Sequence, residues 1–100
     1  MRKFGFHGTS VRYVAQKATS ILNSLTHSNG SSGTKPFQMI VCHLGNGASV
    51  TAVSGDKSMD TSMGFTPLSG LMMGTRCGDV DPSLVSFAVH QLNKDVDEVL

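Results

Sequence analysis

Apolar residues recur at helical spacing in the first quarter of the sequence. They are Val11, Val14, Ala15, Ala18, Ile21, Leu22 and Leu25. This period predicts an amphipathic α-helix that begins near Thr9 or Ser10. A hydroxyl at either position can cap the helix, because it accepts a hydrogen bond from a backbone N–H that has no partner within the helix.

Residues 27–36 consist of polar, Gly and Pro residues with no apolar side chain to bury. This composition predicts a flexible surface loop near residues 27–36.

A continuous apolar run over residues 37–44 predicts a buried, central strand. Residues 45–47, Gly-Asn-Gly, predict a tight turn into a second strand over residues 48–53. A third strand over residues 57–61 follows the Gly-Asp turn at residues 55–56, so the last two strands are expected to form a hairpin.

Residues 62–80 are rich in Gly and Met and lack a clear period, which predicts an irregular loop with a short helical turn. Asp81 and Pro82 predict the cap and first position of another helix. The apolar face of that helix consists of Leu84, Val85, Ala88, Val89 and Leu92. Residues 95–98 have the capping-box spacing of a further helix. The sequence stops two residues later, so we expect the chain to be a fragment.

Composition narrows the possible functions. The 100 residues are 39% hydrophobic and carry a net charge of +1, as expected for one small globular domain. Six aromatic residues without Trp, and no run of Lys or Arg, argue against a nucleic-acid partner. No apolar run reaches the length of a membrane span, and residues 1–7 lack the apolar part of a signal peptide. We therefore expect a cytoplasmic protein without a nucleic-acid or membrane partner.

The two cysteines, Cys42 and Cys77, form no CxxC pattern, so we expect reduced thiols and no disulfide. A metal site built from these cysteines with His7 and His43 matches no usual zinc spacing. We expect no metal site within this chain.

Three stretches could carry chemistry. In the first, His7 lies between glycines just before a helix N-terminus, where anions are attracted and an imidazole could donate to a phosphoryl oxygen. The alternative is a structural histidine in a turn.

In the second stretch, residues 43–49, His-Leu-Gly-Asn-Gly-Ala-Ser, could hold phosphate with backbone N–H groups. The alternative is a plain Asn-Gly hairpin turn.

The third stretch places Arg76 between two glycines in a loop that is otherwise poor in charge. The planar, permanently charged guanidinium suits a transferring phosphoryl group. The alternative, equally compatible with this stretch, is that Arg76 braces the loop by pairing with Asp79 or Asp81.

Together these stretches resemble acetate kinases. Residues 2–10, Arg-Lys-Phe-Gly-Phe-His-Gly-Thr-Ser, resemble the family signature R-[RK]-[YF]-G-F-H-G-T-S. Residues 43–49 resemble its phosphate loop, and residues 60–68 and 70–82 match the family nearly residue for residue. The resemblance covers almost the whole chain and leaves only the Ser/Gly/Asn loop before Pro36 locally unusual.

The resemblance implies a two-lobed α/β fold of the actin, Hsp70 and sugar-kinase type, which is ribonuclease H-like. This chain would form the front part of the second lobe, since family members are roughly four times longer. The resemblance also implies ATP, Mg²⁺ and acetate, with direct in-line transfer that gives acetyl phosphate and ADP. The full-length enzyme is expected to be a homodimer.

By resemblance, His7 and Arg76 match residues that stabilise the transition state. The nucleotide-phosphate loop corresponds to His43, Leu44, Gly45, Asn46 and Gly47. The family's catalytic Asp, an Asn of the magnesium site and the Arg that meets the carboxylate lie N-terminal to this chain. Its adenosine pocket and a metal-linked Glu lie C-terminal. The ligands of Mg²⁺ are therefore expected outside this chain, and Asp79 is expected to brace Arg76.

Three further points stay open at the level of sequence. Val11 stands where the family usually has His, so hydrogen bonding near the site is expected to differ. Propionate kinases share nearly the same motifs, so the choice between acetate and propionate is open. The alternative outside the enzymes is that the chain is a truncated remnant that only binds a partner.

Overall fold

The computed structural model describes residues 1–27 and 35–99. They form three helices and three strands. In chain order these are α1 (Gly8–His27), β1 (Gln38–Leu44), β2 (Ala48–Ser54), β3 (Lys57–Thr61), α2 (Pro82–Gln91) and α3 (Val96–Val99). Most of the loop predicted at residues 27–36 lies outside the described residues. No helix in the described ranges is long and apolar enough to cross a membrane.

Helix α1 begins earlier than the sequence predicts. The backbone N–H of Val11 donates to the carbonyl of His7 at 2.9 Å, so His7 occupies the cap position. The prediction that Thr9 or Ser10 caps the helix is therefore wrong, because both lie inside its first turn. A tight turn places the start at Gly8, whose N–H donates to Gly5 O at 2.8 Å.

The sheet is antiparallel, in the order β1-β2-β3. β1 pairs with β2 from Gln38↔Ser54 to Leu44↔Ala48, so residues 45–47 form the predicted turn. β2 pairs with β3 with an irregularity between Ala52 and Val53. The predicted hairpin between the second and third strands is confirmed.

The prediction that residues 37–44 form a buried, central strand is wrong for the described chain. β1 lies at the edge of the sheet, and only Val41 in it is buried. α1 covers one face, where Val11, Ala15 and Val53 pack with Val41. On the opposite face Ala48 is buried, but the β1 residue Ile40 is 71% exposed. The apolar run therefore supplies two faces of β1, and only the face toward α1 holds a buried residue of that strand.

Residues 62–80 are irregular, as predicted, with a turn at residues 67–68 and no helix. The loop closes on itself through Gly70, whose N–H donates to Asp79 Oδ1 at 2.8 Å and whose carbonyl accepts from Asp79 N at 2.9 Å. Gly78 adopts φ +73°, and a Cβ there would lie 2.5 Å from Gly70 O. A residue with a side chain cannot fit at this crossing.

Both predicted C-terminal caps are confirmed. Asp81 precedes Pro82 and accepts from the backbone N–H of Ser83 at 2.9 Å and from its hydroxyl at 2.8 Å. These hydrogen bonds lower the pKa of the Asp81 carboxyl. At α3, the backbone N–H of Asp95 donates to Glu98 Oε2 at 3.2 Å. Of the apolar face predicted for α2, only Ala88 is buried.

Candidate functional site

Two histidines that are far apart in sequence meet in the structure. The imidazole rings of His7 and His43 stack with centroids 3.7 Å apart and an interplanar angle of 18°. His7 caps α1, and His43 is the penultimate residue of β1. The packing of α1 on the inner face of the sheet brings these two points of the chain together.

The segment before α1 is held along the far side of the sheet. Phe4 N donates to Gly64 O at 3.0 Å. The ammonium of Lys3 lies 2.8 Å from the carboxylate of Asp60, whose pKa is lowered chiefly by this hydrogen bond. Rings of Phe4 and Phe65 also meet edge to face, with centroids 6.1 Å apart. These contacts fix the chain on the N-terminal side of His7, while α1 fixes it on the other.

Each imidazole is hydrogen-bonded to a serine from the opposite element. His7 Nδ1 lies 2.7 Å from Ser49 Oγ on β2. His43 Nδ1 lies 2.8 Å from Ser10 Oγ in the first turn of α1. Ser49 is the strand partner of His43, so both side chains project from the same face of the sheet. The helix and the hairpin therefore each contribute one imidazole and one hydroxyl, in a crossed arrangement.

Arg76 and His7 both lie close to the backbone of Gly47. A Cβ built on Gly47 would lie 3.2 Å from Arg76 Nη1 and 3.2 Å from His7 Nε2. Both distances are shorter than ordinary van der Waals contacts, so the close approach depends on glycine at this position. Two nitrogen atoms that can donate hydrogen bonds thus converge beside the turn between β1 and β2.

Arg76 is not braced by an aspartate. Its Nη1 donates to Pro67 O at 3.3 Å and contacts Met73 Sδ at 3.4 Å. The predicted pairing with Asp79 or Asp81 is wrong, because Asp79 closes the loop at Gly70 and Asp81 caps α2. No carboxylate in the described residues neutralises the guanidinium, whose charge is left to act on its surroundings.

Burial and two neighbouring groups favour the neutral form of His7 by lowering its pKa. Burial lowers the pKa of His7 below its ordinary value of 6.5, and the nearby His43 and Arg76 lower the pKa further. A neutral imidazole carries one N–H donor and one acceptor nitrogen. Since Nδ1 faces Ser49, the chemistry open to Nε2 depends on which nitrogen carries the proton.

His7, His43, Ser10 and Ser49 are called the cluster below. Of the five residues of the predicted phosphate loop, some lie at this cluster and the others face solvent. His43 belongs to the cluster and Gly47 borders it, while Gly45 lies close to the His43 ring. The side chain of Leu44 is 74% exposed, and Asn46 is exposed at the tip of the turn. The segment is a hairpin turn, as the simpler alternative held, and it also lies against His7 and Arg76.

Sequence reasoning missed Ser10, Ser49 and Pro67 as partners of the site residues. The signal for Ser10 was its position one helical turn after His7. Ser49 could have been found from its antiparallel pairing with His43. Val11, which replaces the family histidine, lies in the apolar core at 6% exposure and therefore offers no hydrogen bond.

A groove opens beside His7, between α1 and strands β2 and β3. Its volume is about 390 Å³, and its polar lining includes Arg12, Gln16 and Asp56. Cys42 and Cys77 are free and exposed. Across residues 1–27 and 35–99, no group of three His, Cys, Asp or Glu side chains is arranged to hold a metal ion.

Comparison with known proteins gives a consistent result. A family model described as the acetokinase family matches residues 1–100. The acetate kinase of Lawsonia intracellularis is 52% identical over 103 residues, which covers 100% of this chain and 24% of that protein.

Solved structures agree in fold. The crystal structure of Porphyromonas gingivalis acetate kinase has a TM-score of 0.74 and 42% identity, covering 97% of this chain and 23% of that one. A propionate kinase from Francisella tularensis subsp. tularensis SCHU S4 has a TM-score of 0.76 and 47% identity, covering 99% of this chain and 23% of that one. This likeness confirms the expected fold class, a partial α/β lobe. The chain spans about a quarter of the length of these relatives.

Proposed function

Because the chain belongs to the acetokinase family, we propose that it supplies one side of an active site that transfers a phosphoryl group between ATP and acetate. The reaction is reversible and gives acetyl phosphate and ADP by direct in-line transfer. The relatives that this chain matches are named acetate kinases, and the enzyme would be a phosphotransferase with a carboxyl group as acceptor.

The observation that carries the proposal is the convergence of Arg76 and His7 on Gly47. A transferring phosphoryl group spreads negative charge over its equatorial oxygens, and catalysis depends on positioning and on charge stabilisation. The guanidinium, which forms no ion pair among the described residues, supplies a permanent positive charge, and the imidazole supplies a directional hydrogen bond. Both side chains are held before any ligand arrives, so little reorganisation is needed during the reaction.

In this proposal, Arg76 and His7 stabilise the transition state, and residues 43–47 hold the nucleotide phosphates. The absence of a side chain on Gly47 lets a phosphoryl oxygen approach both nitrogen atoms and the backbone of the turn. His43 acts mainly as a packing surface for His7, because its ring is stacked 3.7 Å away and its Nδ1 is engaged by Ser10.

Magnesium would neutralise phosphate charge in such a reaction, but the residues described here do not fit a magnesium site. Asp60 pairs with Lys3, Asp79 closes its own loop, and Asp81 caps α2. None of them is left to coordinate a cation beside Gly47. We place the Mg²⁺ ligands, the catalytic Asp and the acetate pocket in the remainder of a full-length acetokinase, which we propose to be a cytoplasmic homodimer.

Propionate is the second candidate substrate. The specific observation in its favour is the structural likeness to the Francisella propionate kinase, at 47% identity over 99% of this chain. The residues around Gly47 contact only the phosphoryl side of the reaction in this proposal. They are therefore expected to serve either carboxylate equally well.

The test uses a full-length acetokinase that carries residues 1–100 of this chain as its matching segment, called the full-length protein below. Acyl phosphate formed from ATP is trapped with hydroxylamine, with acetate and propionate as parallel acceptors. We expect turnover with both and a higher kcat/KM with acetate. If a folded protein that binds ATP forms acyl phosphate with neither acetate nor propionate, the proposed function is contradicted.

A further inference from the structure

The hydroxyl of Ser49 is enclosed where β2 passes under His7. Ser49 is 2% exposed, and within the described part of the chain its Oγ has one hydrogen-bond partner, His7 Nδ1 at 2.7 Å. The other ring nitrogen of His7, Nε2, faces Gly47 beside Arg76. The two nitrogens of one imidazole thus meet a buried hydroxyl on one side and the candidate phosphoryl position on the other.

A hydroxyl has one hydrogen to donate, and a buried donor without an acceptor is costly. If Nδ1 of His7 carried the ring proton, it would donate to Ser49 Oγ, and the hydroxyl hydrogen would have no acceptor. If Nδ1 is unprotonated, the hydroxyl donates to it and both groups are satisfied. Burial of Ser49 therefore selects the second arrangement.

We propose that Ser49 is a positioning residue that sets the tautomer of His7. Its hydroxyl donates to Nδ1, and the ring proton resides on Nε2, where it points toward Gly47 and Arg76. His7 then presents an N–H to a phosphoryl oxygen instead of a lone pair that would repel it. The catalytic consequence of this inference rests on the proposed function, whereas the tautomer itself does not.

The second serine of the cluster does not carry the same inference. Ser10 is only half-buried, so its hydroxyl hydrogen can reach solvent whichever nitrogen of His43 is protonated. The lowered pKa of His7 agrees with the proposal, since a hydroxyl donor at Nδ1 requires the neutral ring. Ser49 therefore has a role in the cluster that Ser10 lacks.

The direct test is nitrogen-15 NMR of histidine side chains in the full-length protein near neutral pH, with the signals of His7 identified by their loss in His7→Gln. We expect a directly bonded proton on Nε2 and none on Nδ1. A proton on Nδ1, or protons on both nitrogens, would overturn the proposal. This measurement needs no substitution at Ser49, so it does not depend on how well a variant folds.

Kinetics give the second test. Ser49→Ala should lower kcat about ten-fold, the loss expected for one hydrogen bond that orients a catalytic group, with KM for ATP within about two-fold. Ser49→Thr, which keeps a hydroxyl, should recover most of kcat. Unchanged kcat in Ser49→Ala would show that Ser49 does not position His7.

Thr51→Val is the matched control, because it removes another buried hydroxyl from β2 whose partner is Thr61 and not a histidine. Thr51→Val should leave the nitrogen-15 signals of His7 and kcat unchanged. A loss of kcat equal to that of Ser49→Ala would overturn the assignment. If the wild-type protein forms no acyl phosphate yet His7 is protonated at Nε2, the proposed function fails and the tautomer stands. If the protein forms acyl phosphate but His7 carries its proton on Nδ1, the proposed function stands and the tautomer assignment fails.

Discussion

The imidazole rings of His7 and His43 lie nearly parallel, with centroids 3.7 Å apart. Two stacked rings at this separation disfavour two positive charges, and the guanidinium of Arg76 adds a third cationic group nearby. Burial is the largest cause of the lowered pKa of His7, and these two neighbours act in the same direction. The charge state of His7 is therefore a property of the whole cluster.

Replacing the ring that stacks on His7 should raise the pKa of His7. His43→Phe keeps an aromatic surface over His7 and removes the repulsive charge, so protonation of His7 becomes easier. The pKa is read from an NMR titration of His7 in the full-length protein. His90→Phe is the matched control, because His90 is exposed on α2, and it should leave the titration unchanged. An unchanged or lower pKa of His7 in His43→Phe would refute the electrostatic coupling.

The same shift links folding stability to pH. In the unfolded chain His7 titrates near 6.5, whereas in the folded state its pKa is lower. As pH falls below 6.5, the unfolded state takes up a proton that folded His7 does not. The free energy of unfolding should therefore fall with falling pH, down to the folded pKa. His7→Gln should reduce this slope in urea titrations at a series of pH values, and an unchanged slope would contradict it.

Adding one methyl group to Gly47 should impair catalysis. In Gly47→Ala the new Cβ lies 3.2 Å from both Arg76 Nη1 and His7 Nε2, so these side chains must move. We expect kcat to fall at least about ten-fold, because small misplacements of catalytic groups are costly. Gly74→Ala is the matched control, since a Cβ there meets nothing within 4 Å. Equal activity of the two variants would count against the convergence at Gly47.

Removing the guanidinium should affect turnover more than nucleotide binding. We expect Arg76→Ala to lower kcat about 100-fold to 1,000-fold, as for other preorganised donors in a transition state, with a much smaller change in KM for ATP. Lys94→Ala, which removes an exposed cation paired with Glu98, should have little effect on either constant. A normal kcat with only a raised KM would exclude the transition-state role.

Residues 1–100 alone should be catalytically inactive and only marginally folded. The outer face of β1 leaves Ile40 71% exposed, the edge of that strand has no partner in the described chain, and Phe87 on α2 is 55% exposed. Such surfaces favour aggregation over a stable monomer. Amide exchange and an acetyl phosphate assay check both statements. Ile40→Lys should reduce aggregation, whereas Val41→Lys, on the buried face, should abolish folding. Strong protection together with turnover would refute the prediction.

Sequence alone predicted the elements whose causes are local. The stripe of α1, the Gly-containing turns, the Asp81 cap and the residues 95–98 capping box each depend on neighbours within one or two turns of chain. The start of α1 was misplaced because a tight turn before Gly8 outweighs the capping preference of Thr9 and Ser10. The outward face of β1 was misjudged because an apolar run does not reveal which residues will cover it.

The sequence pointed to His7 and Arg76 as candidate site residues, but not to the contacts that bring them together. His7 and Arg76 were identified by residue type and by resemblance. Their convergence on Gly47 depends on how the loop at residues 62–80 closes through Gly70 and Asp79, and no local pattern encodes that closure. The assumed brace between Asp79 and Arg76 failed for the same reason. Both crossed hydrogen bonds join residues that are more than thirty positions apart.

The crossed imidazole–hydroxyl pairs also limit how this part of the protein can move. Because His7 caps α1 and Ser10 lies in its first turn, while His43 and Ser49 belong to the hairpin, a sliding of the helix along the sheet would break both hydrogen bonds at once. α1 and the hairpin should therefore travel as one rigid body when a substrate cleft opens or closes.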